Sequence, residues 1–246
     1  MAAVEESELA TRGLSCGGSV SCARTLLRPL MKKRTFKRNF GNKCENQTYL
    51  CYEVEVQEDD AWVPVEGLQG IRRKLITGTH REHCQEESVL LDGNNRQERY
   101  LHADLCFLDG NNDRKRYPRA ELCFLALFRT WDLDEGKQYR LTWYSSWSPY
   151  PDCVPKLVEF LGDNSNVSLR IFAAGIHSRF SGYEHELRNL VDAGAQLAIM
   201  TQDELQHCWD TFVGNRGQPF EPWPNLEEHI QTKSQELESI LGNQEN

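Results

Sequence analysis

The sequence lacks the features of a membrane-spanning or secreted protein. Its longest uninterrupted apolar run, Leu122 to Phe128, is far shorter than the stretch of about 20 residues that crosses a bilayer. The first residues, Met1 to Glu6, are acidic and have no apolar core, so we expect no secretory signal. We therefore expect no association with a membrane.

The sequence also lacks a disulfide framework. Its nine cysteines are an odd number, and they are scattered without the regular spacing of a disulfide-rich scaffold. With no secretory signal expected, we interpret them as reduced thiols, most of them buried. This interpretation favours a cytoplasmic or nuclear protein.

An excess of positive charge is missing as well. The formal net charge is -9 and the sequence pI is about 5.3. These values argue against strong binding of nucleic acid over the whole surface, but they allow a local basic groove. Two basic clusters are present, Lys32 to Arg38 and Arg72 to Lys74. Taken alone, each is a solvated patch.

The composition and the order of predicted strands and helices indicate one globular domain with an α/β fold. Hydrophobic residues make up 39% and charged residues 26% of the chain, as in ordinary globular proteins. We predict a disordered tail over residues 1–28 and a domain over residues 29–246. From residue 119 onward, strands alternate with helices, which indicates three layers with a central five-stranded sheet flanked by helices. The predicted strands are Tyr49–Val56, Trp62–Val65, Tyr139–Tyr144, Val167–Ala174 and Ala195–Met200, and the predicted helices are Arg119–Trp131, Val154–Leu161, Tyr183–Val191, Asp203–Val213 and Asn225–Leu241.

Residues 67–118 have no clear helix or strand pattern. A tandem duplication begins within them and covers residues 91–124. Leu91 to Phe107 reads LDGNNRQERYLHADLCF and Leu108 to Phe124 reads LDGNNDRKRYPRAELCF, with 11 of 17 positions identical. The first copy runs into Asp109-Gly110-Asn111-Asn112, which breaks a helix, whereas the second continues into apolar residues. We therefore place the second copy in the core and the first in a surface loop.

Six sequence blocks carry a family resemblance. They are TYLCYE (48–53), AELCFL (120–125), SWSP (146–149), LRIFAA (169–174), DELQHCWDTFV (203–213) and PFEPW (219–223). Together they resemble the AID/APOBEC family of polynucleotide cytidine deaminases, closest to its antiviral, single-domain mammalian branch. The resemblance covers roughly residues 30–245 and implies a cytidine-deaminase-like fold.

The resemblance implies zinc chemistry. In nucleobase deaminases with the signature H-x-E and P-C-x-x-C, one histidine and two cysteines hold Zn²⁺, and a water fills the open position. Zinc lowers the pKa of that water to about 7, and the glutamate moves its protons. Matched to this signature, Glu121 takes the position of the catalytic glutamate and Cys153 that of the second cysteine.

Two ligand positions depart from the signature. Arg119 stands where the histidine is expected, and a guanidinium has no lone pair to give to a metal. Tyr150 stands where the first cysteine is expected, and a phenol with a pKa near 10 is a poor substitute for a thiolate. The first repeat copy retains a histidine, His102, which is a candidate third ligand, although an exposed loop histidine is the plainer interpretation.

The resemblance also implies a nucleic-acid-binding pocket. Trp147 and Ser148 match the pocket floor, and Thr48 matches a flanking residue, with Asn46 in the loop before it. In the loop after LRIFAA, His177 and Arg179 stand where the family often has tyrosines that stack a base.

Three hypotheses follow. The first is an active deaminase acting on single-stranded DNA or RNA in antiviral restriction, with zinc held by an unusual set such as His102, Cys153 and Tyr150. The second is a pseudoenzyme, catalytically dead, that binds single-stranded nucleic acid or a viral or host protein. The third is a decaying gene product, or a faulty gene model, that folds poorly. The second is favoured over the first because one expected ligand of three remains in register.

Overall fold

The structure is a computed structural model that describes residues 30–41, 48–73 and 119–242. The predicted tail over residues 1–28, Asn46, His102 and the first repeat copy lie outside these residues. The division into a tail and a domain over 29–246 stays a prediction.

Five strands form one mixed sheet in the order β2-β1-β3-β4-β5. β1 is antiparallel to both β2 and β3, whereas β4 is parallel to β3 and to β5. The predicted α/β architecture with a central five-stranded sheet is confirmed. The strands are β1 (Tyr49–Glu58), β2 (Ala61–Arg73), β3 (Tyr139–Ser145), β4 (Val167–Ala173) and β5 (Gln196–Ile199).

Helices cover both faces of the sheet, because successive side chains of a strand point to opposite faces. Tyr52 of β1 packs in one core cluster with Phe124, whereas its neighbour Cys51 packs in another with Phe36 and Trp209. Among the described residues no helix is long and apolar enough to cross a membrane. The helices are α1 (Lys33–Asn39), α2 (Ala120–Phe128), α3 (Val154–Asp163), α4 (Tyr183–Asp192), α5 (Gln202–Phe212) and α6 (Leu226–Gly242), and a 3-10 turn (Pro151–Cys153) precedes α3.

The second strand is longer than predicted. The sequence predicts a hairpin partner over Trp62–Val65 and no assignment from residue 67, whereas β2 continues to Arg73. Its pairing with β1 shifts register between Glu53 and Glu55. Gly67 lies opposite this shift with a φ of 82°, a left-handed conformation that glycine adopts without strain. A glycine-rich edge strand with a bulge has the composition of a loop, which is why the sequence prediction stopped early.

The helix that carries the candidate catalytic residue is shorter than the predicted Arg119–Trp131. It begins at Ala120, because Arg119 has an extended backbone with φ -75° and ψ 163°. It ends at Phe128, after which the Thr130 N–H donates to the Leu127 carbonyl in a turn. Arg119 therefore lies just outside the helix, and its side chain reaches the turn that follows β3.

An ion pair ties α5 to the sheet. The His207 Nε2 lies 3.0 Å from the Glu53 Oε2 on β1. The hydrogen bond to Glu53 raises the pKa of His207, and partial burial opposes this rise only in part. Since the folded-state pKa is raised, the stabilisation is fully present below the unfolded pKa of about 6.5 and is lost as pH rises through the folded value.

We expect His207→Gln to lower the melting temperature more at about pH 5.5 than at about pH 9, because only protonated His207 forms the ion pair. Thermal denaturation at both pH values tests this, with the exposed His185→Gln as the control. An equal loss at both pH values would show that the charge of His207 contributes nothing.

Candidate functional site

Three segments meet at one edge of the sheet. They are the start of α2, the turn 146–153 between β3 and α3, and the loop 174–180 after β4. Because β3 and β4 are parallel, their carboxyl ends lie side by side, where α/β sheets commonly bind ligands. The Ser148 N–H donates to the Gly175 carbonyl at 2.7 Å, and the His177 N–H donates to the Ser148 Oγ at 3.0 Å.

Glu121 lies in the first turn of α2 and is 2% exposed. Its Oε1 accepts a hydrogen bond from the Tyr150 N–H at 3.1 Å. Its Oε2 is buried and has no hydrogen-bond partner within the described ranges. Burial raises the pKa of the Glu121 carboxyl, while the backbone hydrogen bonds and the charge of Arg119 act against this rise. That Glu121 is the catalytic glutamate stays a prediction.

Arg119 and Tyr150 contact each other through their side chains. The Arg119 Cζ lies 2.9 Å from the centroid of the Tyr150 ring, so the guanidinium covers the face of the phenol. This is the cation–π geometry that arginine adopts with aromatic side chains. The two residues at the expected ligand positions therefore contact each other.

Cys153 is the retained donor of the expected ligand set. It lies in the 3-10 turn, is 1% exposed, and its N–H donates to the Tyr150 carbonyl at 2.8 Å. Of the three ligand positions, it alone offers a sulfur or imidazole donor, because Arg119 has no lone pair for a metal. Nowhere in the described part of the chain do three His, Cys, Asp or Glu side chains gather as a metal would require. The described residues do not fit the three-ligand zinc site that the resemblance implies.

Trp147 and His177 form a stacked pair beside this contact. Their ring centroids are 4.9 Å apart and the rings are inclined by 11°. A Cβ on Gly175 would lie 3.3 Å from the indole carbons, so glycine allows the loop to approach Trp147 closely. The structure thus brings together Trp147, Ser148 and His177, and their role in a nucleic-acid-binding pocket stays a prediction.

The remaining predicted residues are placed differently. Thr48 is buried and precedes Tyr49, whose N–H donates to the Ser146 Oγ at 2.9 Å, so it lies near the turn. Arg179 is exposed, and its charge contributes to the lowered pKa of His177.

Sequence reasoning missed Phe180. Its ring contacts Tyr150 edge to face, with centroids 4.4 Å apart, and it is 37% exposed. The available signal was an aromatic residue isolated in the polar stretch Ser178-Arg179-Phe180-Ser181-Gly182.

Burial, reinforced by the charges of Arg119 and Arg179, lowers the pKa of His177 to about 4. Between pH 6.5 and 4 the unfolded chain binds this proton and the folded chain does not, so stability falls as pH falls, by up to about 1.4 kcal/mol per pH unit. We expect an NMR titration to show His177 still neutral at about pH 5. A midpoint near 6.5 would contradict the buried placement of its ring.

The chain belongs to the APOBEC3 family of cytosine deaminase domains. The family model described as "APOBEC3, cytosine deaminase domain" matches residues 95–241. The family is zinc-dependent, and its fold agrees with the five-stranded sheet and flanking helices described above. The predicted membership in the antiviral branch of the AID/APOBEC family is confirmed.

Three primate relatives are similar over most of this chain, and each is named a DNA dC->dU-editing enzyme APOBEC-3G. The protein of Papio anubis is 38% identical over 225 residues, which cover 90% of this chain and 50% of the relative. The protein of Erythrocebus patas is 37% identical with the same coverage. The protein of Chlorocebus aethiops is 36% identical over 219 residues, 87% of this chain and 49% of its own length. This chain spans about half the length of these relatives.

Proposed function

We propose that this chain is a member of the polynucleotide cytidine deaminase family that retains binding of single-stranded DNA or RNA and whose deamination is impaired. The observation that carries the proposal is the Arg119–Tyr150 contact at two of the three expected ligand positions. A guanidinium keeps its proton and repels a metal ion, so Glu121 lacks the activated water on which its role depends.

The relatives support a polynucleotide as the ligand, because by name they edit dC to dU in DNA. We extend this ligand class to the present chain, as single-stranded DNA or RNA. The exposed ring of Phe180 offers a surface on which a base stacks, next to the stacked pair of Trp147 and His177. The exposed Arg179 adds positive charge beside it. A site of this kind binds by stacking and phosphate contacts, neither of which needs a metal.

The proposed setting is antiviral defence and innate immunity, in the cytoplasm, the nucleus or both. The cysteines of the described residues, Cys51, Cys123, Cys153 and Cys208, are buried thiols, which suits a reducing compartment. A viral or host protein is the alternative ligand of the same surface. An active deaminase remains the competing outcome, with zinc bound through a set that includes His102.

We expect single-stranded oligonucleotides to bind with an affinity that falls as salt rises, with a log–log slope of about -0.7 per phosphate contact. Phe180→Ala should weaken binding by at least about fivefold, because stacking contributes roughly 1–3 kcal/mol per base. Fluorescence anisotropy measures both effects. Val63→Ala is the matched control, because Val63 is also 37% exposed but lies on the edge strand β2.

Binding that does not depend on salt, or that Phe180→Ala leaves unchanged, would contradict this assignment. Capture of a protein without any affinity for oligonucleotides would favour the alternative ligand.

The double substitution Arg119→His with Tyr150→Cys restores the histidine and thiolate positions beside Cys153. We expect the double variant to purify with about one zinc per chain and the unsubstituted chain with close to none, as measured by elemental analysis. Uracil formation in a cytosine-containing oligonucleotide is followed in parallel. The control is Arg129→His, at an exposed position at the other end of α2. One zinc per unsubstituted chain, together with uracil formation, would establish the active deaminase instead.

A further inference from the structure

Helix α1 concentrates positive charge in a chain that is acidic as a whole. Residues 30–41 contain five lysine and arginine residues and no acidic residue, whereas the formal net charge of the chain is -9. Four of the five lie within α1 itself. One of these four side chains is half-buried and the other three are exposed. We call these four residues the basic stripe: Lys33, Arg34, Lys37 and Arg38.

The basic stripe runs along one side of α1. Lys33 and Lys37 are four residues apart, as are Arg34 and Arg38, and side chains at this spacing are neighbours on a helix surface. The two pairs are offset by one residue, which is about 100° around the helix axis. Phe36 lies outside the arc of about 140° that the four cations span, and it is fully buried. The helix therefore packs on the core through Phe36 and carries the basic stripe beside its buried face.

This arrangement opposes the stability of α1. Like charges four residues apart destabilise a helix, and Lys33 and Arg34 begin the helix, where its dipole favours acidic side chains. Lys33 donates a hydrogen bond to the neutral side chain of Gln218. The Lys37 Nζ lies 3.9 Å from the Glu221 Oε2, but both side chains are exposed, and ion pairs of this kind contribute little. Natural proteins break such local rules mainly at functional sites.

The basic stripe lies within reach of the candidate site. Phe36 packs in the same cluster of buried residues as Ala174, the first residue of the loop 174–180. Tyr49 follows Gly41 by eight residues, which an extended chain spans in at most about 28 Å, and its N–H donates to the Ser146 Oγ in the turn 146–153. At about 3.4 Å per nucleotide, a strand of roughly eight or more nucleotides covers that distance.

We propose that the basic stripe binds the phosphate backbone of the same single strand that contacts Phe180. The inference rests on the proposed function, because it concerns a second contact of the same ligand. Lysine and arginine bind phosphate oxygens without reading the bases, and each phosphate that they neutralise releases counterions. A strand along α1 also relieves the repulsion among its cations. The affinity therefore depends on strand length as well as on salt.

A charge-neutralised variant tests the proposal, with fluorescence anisotropy of labelled thymidine oligonucleotides as the readout. Arg34→Gln with Arg38→Gln removes two cations and keeps good helix formers. For a strand of about 16 nucleotides, we expect the affinity to fall by about fivefold or more and the log–log salt slope to shrink by up to about 1.4, at about 0.7 per lost contact. A strand of about 4 nucleotides is too short to reach both surfaces, so its affinity should fall less.

The matched control is Arg129→Gln with Lys137→Gln, which removes two exposed cations and changes the net charge equally. Arg129 follows the far end of α2, and Lys137 precedes the amino end of β3, so both lie away from the candidate site. An unchanged salt slope in the α1 variant, or an equal loss of affinity in the control, overturns the proposal. An equal loss for the short and the long strand also overturns it.

Two further variants keep the outcomes distinct. If the arginine variant folds poorly, Lys33→Gln with Lys37→Gln tests the other half of the basic stripe, with the same expected result. If Phe180→Ala weakens binding and the α1 variants do not, the proposed function stands and this inference alone is overturned. No binding of either strand by the unsubstituted chain overturns both. Binding to phosphatidylserine vesicles that only the α1 variants lose, with oligonucleotide affinity unchanged, assigns the basic stripe to a lipid surface and overturns the inference.

Discussion

The contacts of Tyr150 hold the candidate site together. Its N–H donates to the Glu121 carboxyl group, its carbonyl accepts from the Cys153 N–H, and its ring contacts the Arg119 guanidinium and the Phe180 ring. These contacts fix the start of α2, the turn before α3 and the loop after β4 with respect to one another. A metal ion holds segments together when it takes a ligand from each of them. In this site Tyr150, with Arg119 as its partner, can hold the same segments together without an ion.

Under the proposed function, the residues at the metal-ligand positions keep the structural role of a metal site and lose its chemical role. A guanidinium can provide charge and contact, but it cannot hold a water molecule and lower its pKa. The aromatic surface formed by Trp147, His177 and Phe180 lies beside the Arg119–Tyr150 contact and does not depend on a metal. Under the proposed function, this chain loses its chemistry and keeps its fold and its affinity for polynucleotide.

Much of the fold could be predicted from the sequence, because burial imposes a period of two on strands and a buried helix is apolar throughout. These signals gave β1, β3 and β4 and the apolar α2 close to their observed bounds. The signals did not predict the full length of β2, because a bulge and Gly67 interrupt its alternation of apolar and polar residues. They also did not predict α1, because most of its residues are basic or polar and Phe36 is its one buried apolar residue. The residues of the site were recognisable through short blocks of resemblance, since Glu121, Cys153, Trp147 and Ser148 each stand within or just after one.

The contacts among those residues could not be predicted. The sequence indicates that Arg119 and Tyr150 are poor zinc ligands, but it does not indicate that they stack on each other, because that depends on the extended backbone of Arg119 and the course of the turn. Phe180 was missed for the same reason, since an aromatic residue in a polar loop has no periodic pattern to reveal its neighbours. Side-chain contacts between distant segments are set by the packing of the whole sheet.

We propose that this site is held together without a metal ion. The most direct measurement is the melting temperature of the full chain in excess zinc chelator and again in excess zinc. We expect the same melting temperature in both, to within about 1 °C. A fall of roughly 10 °C in chelator, the size expected when a tightly bound ion is removed, would contradict it.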